Sequence, residues 1–256
     1  MKGGHFLLIK VINPNTTASM TEKIGDCARA VAMPGTTIHG VNPAMGPVSI
    51  ESHYDEALAV PGLLERIAEG ERAGYDGYLV ACFGDPGLDA AREVAAGPVL
   101  GIAEAAMRTA THLGRTFSVV TTLARTTGRI GELVLRYGLE RQCAAVHASD
   151  LPVLALEADP DAYRRVRDAC AAALVADRSD AVVLGCAGMA DLTARLGAEL
   201  GVPVVDGVAA ATTLLAGLVR QGLRTSSAGE YAPPAPKPYR GPMAAFAVGA
   251  GGRLVD

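Results

Sequence analysis

Asp76-Gly-Tyr-Leu-Val-Ala-Cys82-Phe-Gly84 and Asp180-Ala-Val-Val-Leu-Gly-Cys186-Ala-Gly188 align without a gap. In each, an Asp opens a short apolar run and a Cys closes it six positions later. Apolar runs of this length, bounded by a polar residue and a glycine, read as strands buried on both faces, the pattern of parallel sheets. Working outward, Pro98-Val-Leu100 lies 16 residues past the first Cys and Pro203-Val-Val205 lies 17 past the second. Upstream, one strand pattern runs into Asn13-Pro-Asn-Thr-Thr17 and another into Thr121-Thr122. These polar ends precede their cysteines by 69 residues (from Asn13) and 65 (from Thr121). Three features in the same order and at the same spacing mark an internal duplication.

The remaining patterns fit that reading. Strands are expected at Leu7–Ile12, Thr37–Val41, Gly77–Ala81, Val99–Gly101, Phe117–Thr121, Val146–Ala148, Ala181–Gly185 and Val202–Val205. Amphipathic stretches lie between them, including Met20–Met33, Ala57–Ala73, Gly128–Tyr137 and Ala162–Ala176. Alternation of this kind gives an α/β fold. We expect two pseudo-symmetric Rossmann-like halves with mostly parallel sheets and an active-site cleft between them. Residues 1–97 plus 208–231 form the half that carries Cys82, and residues 98–207 the half that carries Cys186. Residues 232–256 form a Pro/Gly-rich C-terminal tail, expected to be weakly ordered and without chemistry. In open α/β sheets ligands bind beyond the carboxyl ends of the strands. Asn13, Cys82, Thr121 and Cys186 all stand at such ends.

Composition narrows the function. Half of the 256 residues are apolar, Trp is absent and aromatics are few. The core must therefore be built from Ala, Val, Leu and Ile, and no aromatic platform for stacked bases is in view. The net charge of −4 and the lack of a Lys/Arg run argue against a nucleic-acid footprint. No apolar segment is long enough for a membrane helix or a signal peptide, so a cytoplasmic protein with reduced thiols is expected. Five cysteines without a Cys-x-x-Cys fit neither a disulfide framework nor a zinc ribbon. Cys27 and Cys170 fall within helical patterns and read as core, and Cys143 lies at a helix-to-strand turn. The histidines, at positions 5, 39, 53, 112 and 147, lack metal-ligand spacing, and of these His53 alone draws notice. No Gly-x-Gly-x-x-Gly follows the first strand, so no dinucleotide site is expected. Asp85 and Asp191 read as caps of the helices that follow them.

Each duplicated Cys follows a buried strand and precedes a glycine turn that opens a helix. Backbone N–H groups there favour thiolate over thiol and offer donors to an oxyanion. A thiolate on one face of a carbon acid and a thiol on the other make a two-base device. One removes a proton α to a carbonyl, and the other returns a proton from the opposite face. The stereocentre inverts, and the reverse reaction swaps the roles. No metal and no organic cofactor is needed when the α-proton is acidic enough.

Asn13-Pro-Asn-Thr16, Gly46-Pro-Val-Ser-Ile-Glu51, Ala81-Cys-Phe-Gly-Asp-Pro-Gly-Leu88, Gly101-Ile-Ala-Glu-Ala-Ala106 and Gly185-Cys-Ala-Gly-Met189 together resemble the hydantoin racemases of the Asp/Glu racemase superfamily. The resemblance continues through Asp206-Gly-Val208 and Gly222-Leu-Arg-Thr225 to about Tyr231. It implies cofactor-independent racemisation at C5 of a 5-substituted hydantoin, or of allantoin, in a homo-oligomer. It implies Cys82 and Cys186 as the acid/base thiols. Asn13, Thr121 and Thr122 follow as ring contacts, with the backbone groups of Phe83, Ala187 and Gly188, and with Ile50 as a pocket wall. Both cysteines are present, unlike in an arylmalonate decarboxylase, which has a single essential thiol. The alternatives are an amino-acid racemase of the Asp/Glu type, a maleate isomerase, or a non-catalytic small-molecule binding module. The sequence shows no basic clamp for a dicarboxylate.

Overall fold

The computed structural model describes residues 6–249; His5, the first residues of the Cys82 half and the end of the tail lie outside the described residues. Two four-stranded parallel sheets are built in the same order. The first sheet holds β1 (Leu7–Ile12), β2 (Thr36–Val41), β3 (Gly77–Val80) and β4 (Val99–Gly101), arranged β2-β1-β3-β4. The second holds β5 (Phe117–Thr121), β6 (Cys143–Ala148), β7 (Ala181–Leu184) and β8 (Val204–Val205), arranged β6-β5-β7-β8. The repeated Asp has a visible job. The Asp76 carboxylate accepts from Leu8 N–H at 2.8 Å, and the Asp180 carboxylate accepts from Arg115 and Thr116 N–H at 2.8 and 2.9 Å. Each fixes the start of the central strand pair in its sheet.

Nine helices connect the strands among the described residues: α1 (Ala18–Ala30), α2 (His53–Ala73), α3 (Leu88–Val94), α4 (Ile102–Ala110), α5 (Thr127–Arg136), α6 (Ala155–Ala158), α7 (Ala162–Asp177), α8 (Thr193–Leu200) and α9 (Gly207–Arg220). No helix among them is long and apolar enough to cross a membrane. Strand side chains alternate between faces. Ile12, Tyr78 and Val80 pack outward against α2 and α3, and Val120, Val182 and Leu184 pack outward against α7 and α8. Leu7, Ile9, Val11, Phe117, Val119 and Val183 point inward to one shared core filled by α1, α4, α5 and α9.

Two crossovers tie the halves together. β4 pairs with β3, so the first sheet runs to Gly101, and α4 then packs on β7 of the second sheet. After β8 the chain returns, and α9 packs on β3 of the first. Asp206 starts that helix by accepting from Val208 and Ala209 N–H. Cys170 is buried in α7, as a core residue, while Cys143 opens β6 with its thiol donating to Ala145 O. Among the described residues of the tail, a short 3-10 turn spans Gly241–Phe246, and Tyr239, Met243, Phe246 and Val248 line one groove together with Val60, Leu64 and Val94 of α2 and α3.

Candidate active site

β3 and β7 end at equivalent points, and each is followed within two residues by its Cys. Around both thiols the chain is buried: Ala81, Phe83 and Asp85 on one side, Gly185, Ala187 and Gly188 on the other. Cys82 and Cys186 are the half-buried exceptions. They line one cavity of about 180 Å³, small against the ~300–1,000 Å³ of drug-sized pockets. Ile50, Phe83, Thr121 and Thr122 line it too. The Thr121 hydroxyl donates to Gly185 O at 3.1 Å, fixing the residue just before Cys186. Thr122 is buried and lines the cavity.

Three of the expected contacts are not among the residues lining this cavity. Asn13 is 1 % exposed and does not line the cavity. Its Nδ2 donates to Asn15 Oδ1 at 2.8 Å and Thr21 Oγ1 at 3.0 Å, so it braces the turn after β1. Ala187 and Gly188 lie behind Cys186 in a 3-10 turn over Ala187–Leu192, with Gly188 N–H directed to the Cys186 thiol.

The thiols are less acidic than helix N-termini alone lead one to expect. Burial pushes Cys186 up to about 11, against the pull of Gly188 N–H and of the Lys23 charge. Burial also pushes Cys82 far above the ordinary thiol range; Gly84 N–H opposes it, while the carboxylates of Glu56 and Asp85 add to it. The physical reason is local. Cys82 precedes a turn rather than a helix, because α3 begins only at Leu88. Cys186 caps a single 3-10 segment of six residues. Neither thiol meets the full N-terminus of a long helix.

The wall also holds residues that sequence reasoning passed over. Glu51 Oε1 accepts from Val153 N–H at 2.7 Å, and Glu56 Oε2 accepts from Arg129 Nε at 2.9 Å, both across the cleft. Arg129 Nη2 donates to Gly84 O at 3.1 Å. Arg125 and exposed His53 stand at the edge of the same cavity. Two arginines, Arg125 and Arg129, line the pocket, and Arg129 is committed to Glu56. Their signal was available, since first turns of helices that follow a strand face the crevice in this architecture, and these residues lie in or beside the first turns of α2 and α5. Asp85 does not cap α3. Its carboxylate accepts from Ala103 and Glu104 N–H, the start of α4. Asp191 pairs with Lys23 at 3.6 Å.

Known proteins match this chain over most of its length. The family described as Asp/Glu/Hydantoin racemase matches residues 9–215. A hydantoin racemase of Rhizobium meliloti is 49 % identical over 227 residues, covering 88 % of this chain and 94 % of its own. The solved allantoin racemase of Klebsiella pneumoniae is 54 % identical, with a TM-score of 0.91 over 93 % of this chain and 98 % of its own. That of Pseudomonas fluorescens is 42 % identical, with a TM-score of 0.87 over 92 % and 100 %. With two like-ordered sheets, paired thiols in one cavity and relatives at this level of identity, the chain belongs to the Asp/Glu/Hydantoin racemase family and is an isomerase of the racemase type.

Proposed function

We propose that this protein inverts C5 of 5-substituted hydantoins, allantoin among them, without a cofactor, using Cys82 and Cys186 as its two acid/base groups. One observation carries the reading. Two cysteines at equivalent strand ends of a duplicated fold line a single small cavity. A binding module has no use for such a pair.

The proton balance is simple. The thiolate of one Cys takes the C5 proton and becomes a thiol. The ring carbanion delocalises into the C4 carbonyl as an enolate. The other thiol gives its proton to the opposite face of C5 and becomes a thiolate. One thiol and one thiolate remain, with their places exchanged. Thr122 and the backbone N–H groups of the Phe83 turn, which line the cavity, and those of the Ala187 turn beside it suit the ring's carbonyls. Ile50, Ile130 and Val153 supply apolar wall. The raised thiol affinity has two opposed effects. Fewer thiolates exist at neutral pH, but each is a stronger base toward carbon. A cytoplasmic, reducing setting suits a pair of free thiols. The protein is proposed to act as a homo-oligomer, for which exposed Val31, Leu113 and Leu214 around one groove offer apolar surface; light scattering in solution tests this.

The deciding experiment incubates the protein with enantiopure L-5-benzylhydantoin and (S)-allantoin in D2O. Decay of optical rotation with deuterium entering C5 supports the proposal. No exchange above the uncatalysed rate with either ureide refutes it.

A further inference from the structure

The two thiols sit in like places, but their turns are held in different ways. After Cys186 the chain enters a 3-10 turn, and the third residue on, Met189, is a fully buried apolar side chain. After Cys82 the third residue on is Asp85, 3 % exposed, with a backbone φ of 44°, in the left-handed region that a residue with a Cβ seldom adopts. Its N–H donates to Cys82 O at 3.0 Å and closes the turn. Its carboxylate is fully engaged. Oδ1 accepts from Ala103 N–H at 3.1 Å, and Oδ2 accepts from Glu104 N–H at 3.0 Å and from the Tyr137 hydroxyl at 2.6 Å. Gly101 leaves room for it: a Cβ there would stand 2.3 Å from Asp85 Cγ. Tyr137 is itself buried and follows α5, so it reaches the Cys82 turn from the second half of the molecule. A buried carboxylate in a strained backbone, with three donors converging on it, is an expensive arrangement that a plain cap does not need. What it fixes is the residue before it. Gly84 N–H is the backbone group that works against burial at the Cys82 thiol, and it sits between Cys82 and the anchored Asp85.

We propose that Asp85 and Tyr137 are positioning residues for Cys82: together they lock the Cys82 turn from across the cleft and keep Gly84 N–H aimed at the thiol, with no counterpart on the Cys186 side. The inference rests on the two-thiol reading and adds an asymmetry to it.

The test uses the full chain carrying Tyr137→Phe, which removes one hydroxyl and leaves the ring packed, and separately Gly101→Ala, which crowds the carboxylate and removes no polar group. Racemisation of allantoin is followed by circular dichroism. Alkylation of each Cys by iodoacetamide at pH 9 is read by peptide mass spectrometry. In both variants kcat falls about tenfold or more, with KM within about twofold. Cys82 is alkylated at least about threefold more slowly, because its thiolate has lost an aimed donor, while Cys186 keeps its wild-type rate. A variant that is merely loosened shifts both thiols alike, and that result overturns the proposal. So does a kcat within twofold of wild type, or a Cys82 rate that is unchanged or raised. Cys82→Ser serves as the separate control. If it still racemises, the two-thiol reading fails, whatever Tyr137→Phe does.

Discussion

With its thiol pushed up by burial, Cys186 should be overwhelmingly protonated at pH 8, and its alkylation rate should report this directly. The perturbation is pH alone. With the thiol pushed up to about 11, three pH units separate it from pH 8, so about one molecule in a thousand carries the Cys186 thiolate. At ~1.36 kcal/mol per unit, forming that thiolate costs about 4 kcal/mol. The cause is burial of the sulfur, opposed by Gly188 N–H and the Lys23 charge and reinforced by the carboxylates of Glu51 and Asp206. The assay is iodoacetamide labelling without substrate, quenched at short times and read peptide by peptide from pH 7 to 10.5. Only the thiolate reacts, so the Cys186 rate should climb close to tenfold per pH unit through pH 10. An ordinary exposed thiol levels off near ~8.5. Cys82, raised further and flanked by Glu56 and Asp85, should lag behind Cys186 at every pH. A Cys186 rate that levels off below pH 9 refutes the reasoning. It would mean that the Gly188 donor and the Lys23 charge outweigh burial.

Three further outcomes are expected. Cys82→Ser and Cys186→Ser should each lower racemisation at least ~1,000-fold by polarimetry, since a serine hydroxyl is far too weak an acid to take either role; normal racemisation by either variant contradicts the two-thiol mechanism. Asp206→Ala removes a buried cap that accepts from Val208 and Ala209 N–H, so the melting temperature should drop by several degrees for a loss of about 1–2 kcal/mol, and an unchanged melt argues against the cap. Gly185→Ala sets a Cβ 2.9 Å from the Thr121 Cα on the neighbouring strand, so it should displace Cys186 and reduce kcat by at least tenfold in protein that still folds, and full activity contradicts the close fit of β5 and β7.

Much of this was readable from the chain because the fold is written twice. The Asp-to-Cys spacing of six marks a strand whose first residue ties the neighbouring strand and whose end delivers a thiol, and both copies do so. Asn13 shows the limit. A polar residue at a strand end reads as a ligand contact, yet its amide is consumed by Asn15 and Thr21, side chains whose proximity only the folded turn creates. Glu56 and Arg129 show the converse. They are 73 positions apart, on helices from different halves, and nothing in either local pattern announces the pair. Asp85 escaped for a related reason: the helix next in sequence hid the fact that the N–H groups it satisfies belong to α4. Periodicity reveals elements and duplication. Partners brought together by the crossovers of α4 and α9 have no signature in it.

The duplication also explains why the halves need not be identical. The enantiomers of a substrate are equal in energy, so the equilibrium constant is one and the ratio of kcat/KM in the two directions is fixed, whatever the thiols' surroundings. Unequal environments therefore leave the outcome of racemisation untouched. They set which thiol gives up its proton more readily. Carboxylates of Glu56 and Asp85 weigh on Cys82, while at Cys186 the Lys23 charge works against Glu51 and Asp206. On the two-thiol reading, the scarce reactive form is then mostly the Cys186 thiolate, and that form takes the enantiomer whose C5–H faces it. The opposite enantiomer must wait for the proton to move from Cys82 to Cys186, through solvent or through a preceding turnover. At high substrate concentration and fixed pH, that wait should appear as unequal kcat values for the two enantiomers, with KM unequal in the same proportion.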